Sequence, residues 1–174
     1  SDPYFHSISF DEIRAYITSG AGGGCDVTVN TGNSTPDVNA GPNYTIPSRT
    51  PFVLTPTSVT DADSGDVLTV GWEQRNLGAS ISLATGDNGT SPIVRSRGGT
   101  SGLSRSVPPL SNVLNNTAAR ADIVPTTNRT MTFRAIVRDN RGGIGTDDMT
   151  VTSVAAAGPF QVTFPNTSTT LEGP

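Results

Sequence analysis

Residues 131–154, MTFRAIVRDNRGGIGTDDMTVTSV, restrict the fold more than any other stretch of the chain. Met131, Phe133, Ala135 and Val137 alternate with Thr132, Arg134 and Arg138, and Met149 and Val151 alternate with Thr150 and Thr152. A period of two puts one side of each segment in a core and the other toward water, so both are predicted to be half-buried strands. Between them, Gly142, Gly143 and Gly145 allow positive φ, while Asp139, Asn140, Asp147 and Asp148 favour turns, so the pair is predicted to close as an antiparallel hairpin. Two strands alone cannot cover Phe133, Val137 and Met149. A second surface must do so.

Composition narrows what that surface is. The 174 residues are 33% hydrophobic, enough for one core with appendages. Short apolar runs separated by Gly, Pro, Ser, Thr and Asn favour an all-β domain. The net charge of −4 and the scatter of the eleven basic residues, all arginine, argue against a nucleic-acid partner. No apolar run approaches the roughly 20 residues needed to span a bilayer, and the N-terminus lacks the pattern of a signal peptide. A lysine-free surface rich in Ser, Thr and Asn fits an extracellular setting. Cys25 is the single cysteine, either a free thiol or half of a bridge to a partner outside the chain.

Residues 1–25 hold the one convincing helix. Ser9 and Glu12 have the spacing of a capping box, Ile8 and Ile13 that of a hydrophobic staple, and Ile13, Tyr16 and Ile17 share a face. Gly20 ends the helix and Gly22 to Gly24 leave it flexible. A helix of about ten residues is marginal alone in water, so it must dock on something. Residues 26–36 read as a linker. From residue 37, VNAGPNYTI suits an edge strand, PFVLTPTSV offers Phe52 and Leu54 to one side, and VLTVGWEQ is a central strand with Leu68, Val70 and Trp72 inward and Thr69 and Glu73 outward. With the hairpin, these make an immunoglobulin-like antiparallel β-sandwich over residues 37–157, Trp72 filling its core. Residues 76–120 form a long insertion with one strand candidate, SPIVRSR, and a helical turn after Pro109; Arg95, Arg97 and Arg105 make it locally positive, which is read as a solvated loop against an anion-binding one. Residues 158–174 read as an unpaired opening strand of a following module.

The strongest polar constellation is DADSGD. Asp61, Asp63 and Asp66 let several oxygens converge on one point, as a hard cation such as Ca²⁺ requires with its six to eight oxygen ligands. In a sandwich of this type Asp139, Asn140 and Asp37 emerge at the same end and join the cluster. The competing reading is a tight turn whose Asp side chains bond their own backbone. Other chemistry is poorly supplied. His6 is the only histidine and reads as a packing or hydrogen-bonding residue, so no serine nucleophile has a base. Asp147 and Asp148 lack the aromatic platforms of a glycosidase cleft, and Gly22 to Gly24 lack the Lys of a phosphate loop.

FHSISFDEIRAYITSGAGGGC resembles the closing segment of the catalytic domain of secreted bacterial reprolysin-like metallopeptidases, zinc metzincins in which a Phe-His-Ser stretch opens the last helix and a Gly-rich run with a Cys follows. The resemblance continues through VNAGPNYTIPSRTPFVLT, TDADSGDVLTVGWEQ, IVPTTNRT, FRAIVRDNRGG and GPFQVTFPNTS, and so covers nearly the whole chain. Within it, the β domain is similar to polycystic-kidney-disease-type and cadherin-like modules, which place a DxDxGD run before the Trp strand. The family's HExxHxxGxxH zinc helix is missing, so zinc belongs only to the absent catalytic domain. The resemblance implies that Cys25 pairs with an upstream partner, and that the chain is a non-catalytic accessory domain, secreted, spacing and stabilising its own catalytic domain; the acidic loop adds calcium as its expected cofactor. The alternative is an extracellular adhesive or filament-forming module that pairs with neighbouring copies or another extracellular protein by donating residues 158–174.

Overall fold

A computed structural model describes residues 4–24, 27, 29–82 and 85–164. Cys25, with the disulfide expected of it, and residues 165–174 of the expected following strand lie outside the described residues. The fold is β-rich, with strands in three sheets and few helices. Helix α1 (Ser7–Thr18) and a turn of 3₁₀ helix (Ala21–Gly24) precede β1 (Asp37–Asn39), β2 (Tyr44–Pro47), β3 (Phe52–Leu54), β4 (Ser58–Thr60), β5 (Thr69–Gln74), β6 (Arg105–Val107), α2 (Leu110–Leu114), β7 (Arg129–Arg138) and β8 (Ile144–Val154). Among the described residues no helix is long and apolar enough to cross a membrane.

The β7–β8 hairpin is the spine. It pairs Met131 with Val151 and Phe133 with Met149 in antiparallel register, as the alternation predicted. β5 adds antiparallel to β7, with Trp72 opposite Ala135, and β2 adds parallel to β8, giving the order β2-β8-β7-β5. Two shorter antiparallel pairs, β1–β4 and β3–β6, complete the sheets. Phe52, Leu54 and Val107 from β3–β6, Val38 from β1, and Val70 and Trp72 from β5 bury in one cluster with Met131, Phe133, Val137 and Met149. The Phe52 and Phe133 rings meet at 5.8 Å between centroids. Each such ring contributes roughly 1.5–3 kcal/mol by leaving water, so these strands together provide the surface that the hairpin requires.

The structure departs from the sequence reading where tertiary contacts override local signals. VNAGPNYTI is two strands rather than one, because Gly41 has φ of 93° and Pro42 follows it. The glycines of the hairpin turn divide their work: Gly142 alone has positive φ, whereas a Cβ on Gly143 would strike the Asp139 carboxylate and one on Gly145 the Pro36 carbonyl. Helix α1 starts two residues before the expected capping box, with His6 as N-cap and no side-chain cap bond. Its first N–H group, on Ser7, instead donates to Glu73 Oε2 of the sheet at 2.8 Å. Asp11 pairs with Arg75 and Arg134, and Arg138 donates to the Phe5 carbonyl. The N-terminal segment therefore lies over the outer side of β5 and β7, which buries Glu73, expected to face water, and Ile136. His6 sits here too, 3.8 Å from Glu73 and stacked obliquely on Tyr4, in the packing role expected of it.

The insertion is folded. The SPIVRSR segment contributes a single bridge, Val94 to Asp122, while the strand lies further on, at β6. Thr100 bridges Val70 and so covers the free edge of β5. Trp72 Nε1 donates to the Leu103 carbonyl at 3.1 Å, tying the insertion to the core from inside. The helical turn after Pro109 is present as α2.

Candidate metal centre

The acidic loop runs from the end of β4 to the start of β5. Asp63 N–H donates to Asp61 Oδ1 at 2.8 Å and Asp66 N–H to the Asp63 carbonyl at 3.1 Å, so the loop is wound by its own backbone as a turn of this composition should be. That winding gathers the three carboxylates: one oxygen from each of Asp61, Asp63 and Asp66 lies within 4.8 Å of the others. Turn formation accounts for only some of their lone pairs. Asp63 Oδ2 accepts from the Ser34 N–H at 2.6 Å, but Asp61 Oδ2 and both oxygens of Asp66 are buried and accept no hydrogen bond. The Asp66 side chain is 1% exposed.

Among the described residues, the positive charge paired with Asp66 comes from one side chain. Arg141 Nε stands 2.5 Å from Asp66 Oδ1, a contact of opposite charges outside hydrogen-bond alignment, and the arginine is 61% exposed. Thr31, Gly32, Asn33, Asp63 to Asp66 and Arg141 surround a polar concavity of about 410 Å³. The expected linker thus forms one wall of the site.

Of the other residues expected to join, Asp139 and Asp37 do not. Asp139 is buried at the hairpin turn with both oxygens taken, by the Arg141 and Gly143 N–H groups and by Asn33 Nδ2 at 2.6 Å. Burial pushes its carboxyl up, and these hydrogen bonds outweigh that and hold it below the ordinary range. Asp37 is exposed in β1 opposite Thr60 and stays outside the converging group. Asn140 turns its amide to the Val67 carbonyl at 2.7 Å.

Two further buried carboxylates carried no sequence signal. Asp87 accepts from Gly89, Thr126 and Thr127 and pairs with Arg129 at 2.6 Å, both side chains at most 4% exposed. Burial raises the Asp87 carboxyl, and the hydrogen bonds from Gly89, Thr126, Arg129 and Thr127 more than offset it, leaving it below the ordinary range. Asp122, fully buried, takes Arg97 on one oxygen and Arg105 with the Arg95 N–H on the other. Two of the three arginines expected to make the insertion positive therefore share one buried carboxylate, which offsets one of their two charges. Asp147 accepts from Ala40 N–H and Asp148 from Arg134, so those two are structural as well.

The donor set of the acidic loop is all oxygen and all anionic, which fits a hard cation such as Ca²⁺ and not zinc, for which nitrogen or sulfur ligands are wanted. Leaving a buried polar atom without a partner costs about 1–3 kcal/mol, more for a charge, so Asp61 Oδ2 and Asp66 Oδ2, which have no donor among the described residues, fit a cation-binding role. No protein-family model, curated protein or solved structure matches the chain.

Proposed function

We propose that residues 37–157 are a non-catalytic, immunoglobulin-like sandwich that serves as an accessory and spacer domain of a secreted zinc metallopeptidase, braced by calcium at the Asp61, Asp63 and Asp66 loop. The observation that carries this reading is the placement of that loop. Its carboxylates hold Ser34 directly, and the neighbouring hairpin turn holds Asn33, so the segment leading in from the helix is fastened where unpaired anionic oxygens gather. A cation held by Asp61, Asp63 and Asp66 would neutralise them and stiffen the join. The N-terminal segment supports the same reading: hydrogen bonds and ion pairs fix it to the sheet, while Phe5 before helix α1 and Ile8, Ile13, Tyr16 and Ile17 on it remain exposed, apolar surface suited to the preceding catalytic domain that this reading supposes.

The test is twofold. Purified protein supplied with Zn²⁺ should leave an unfolded protein substrate intact, and chelator-sensitive cleavage would overturn the non-catalytic assignment. Thermal unfolding with CaCl₂ and with chelator should give different midpoints, and identical midpoints would remove calcium from the reading.

A second reading has its own observation. Phe160, Val162 and Phe164 alternate with polar residues and are exposed, in a segment that belongs to no sheet of the described residues and is tethered through the Phe160 N–H to Thr50 Oγ1, the sequence pattern of a strand awaiting a sheet. Under this reading copies join by strand donation. Light scattering separates the two, since a spacer remains monomeric and a donor strand makes oligomers that Val162→Asp dissolves.

A further inference from the structure

Arg141 stands on the acidic loop in a way that sets it apart from the chain's other buried ion pairs. Arg129 and Arg105 lie in the interior, 4% and 11% exposed, Arg97 is 52% exposed, and each of the three donates aligned hydrogen bonds to its carboxylate. Arg141 is 61% exposed, makes no aligned hydrogen bond to Asp66, and has Asp66 as its one charged partner among the described residues. Its backbone is fixed independently: the Arg141 N–H donates to Asp139 Oδ1 at 2.7 Å, and Asp139 is locked by Gly143 and Asn33. The guanidinium can thus leave Asp66 by side-chain rotation alone, with the hairpin turn and the linker unmoved. Gly65 leaves the path open, since even a Cβ there would stand 3.9 Å from Arg141 Nη2.

We infer that Arg141 is a built-in competitor for the cation site: its guanidinium neutralises Asp66 in the ion-free protein and swings into solvent when a divalent cation binds. This rests on the calcium reading above. A positive group within reach of the carboxylates opposes an arriving cation and must be displaced, so affinity is lowered by the strength of the contact. A partly exposed ion pair of this kind corresponds to a weakening of roughly three- to tenfold. The consequence is a site tuned to fill only where calcium is plentiful, while in the empty protein one of the loop's three negative charges, that of Asp66, is offset.

The experiment is calorimetric titration of the full chain with CaCl₂, for the wild type, Arg141→Gln, Arg141→Lys and Asp66→Asn, each checked for native unfolding behaviour first. Arg141→Gln should bind calcium roughly three- to tenfold more tightly, Arg141→Lys should stay near the wild type because charge and reach persist, and Asp66→Asn should lose binding. In parallel, the Arg141 Nε–H resonance should move to a solvent-exposed position on adding calcium. Equal affinities for wild type and Arg141→Gln would overturn the competitor role and leave the calcium reading standing. Weaker binding by Arg141→Gln would overturn it too, making Arg141 a support of the site. Absence of heat in every variant up to about 10 mM, beyond the weakest range of extracellular calcium modules, would remove the calcium reading and this inference with it.

Discussion

The insertion with its exit and the acidic loop handle the same difficulty in opposite ways. Asp87 and Asp122 are as buried as Asp66, yet every one of their oxygens faces an N–H or hydroxyl donor or a guanidinium drawn from 17 to 42 residues away. Asp66 has a single loosely aligned arginine, and Asp61 Oδ2 has nothing. Burying a charge is tolerable only when partners replace the water that it loses. The insertion is a region where the chain supplies those partners itself, which makes its carboxylates structural. In the acidic loop the chain does not, and under the calcium reading they come from solution, which would give its carboxylates a binding role.

This contrast is open to direct attack. The largest effect should come from Asp87→Ala, which strands Arg129 in the interior; the loss expected from chemical denaturation is about 3–5 kcal/mol, and a loss under about 1 kcal/mol would break the comparison. Next, calcium at a hundred times its dissociation constant should stabilise the wild type by about 2.7 kcal/mol, with no corresponding gain in Asp66→Asn. Without calcium, Asp66→Asn should be neutral or stabilising by on the order of 1 kcal/mol, opposite in sign to the change at Asp87, because it removes a charge that lacks aligned donors. The finest distinction is in pH. Asp87 and Asp139 are held below the ordinary aspartate value of 3.8, so their contribution is in place above that value and is lost as pH falls through their depressed folded values. Stability curves of Asp139→Asn should therefore be flatter than the wild type below pH 3.8, and parallel curves there would show that Asp139 does not carry the acid sensitivity.

The parts legible in the sequence were those whose cause is local. The β7–β8 pair declares itself by alternation, and Trp72 by the same period in β5. The acidic loop is readable because its three aspartates lie within six positions of one another. Contacts made across the chain were not readable. The capping of Ser7 by Glu73 spans 66 positions, and it overrode a capping box that looked sufficient by itself. Topology predicts Asp139 as a ligand, yet its oxygens are taken by the Arg141 and Gly143 N–H groups and by Asn33, 106 positions away in a segment with the composition of a linker. Arg141, in the sequence only one basic residue in a turn, stands at the site because the hairpin brings it there. The parallel pairing of β2 with β8 likewise depends on where the chain travels after Gly41 and Pro42, which no period announces.

Trp72 is the sole indole in the chain, and its N–H is tied to the carbonyl of Leu103. Tryptophan emission, excited selectively beyond the tyrosine absorption band, therefore arises from one chromophore placed where the insertion meets the central strand. A red shift that precedes the loss of far-ultraviolet β signal would mean that the insertion peels away first, so one intrinsic fluorophore distinguishes undocking from global unfolding without any added label.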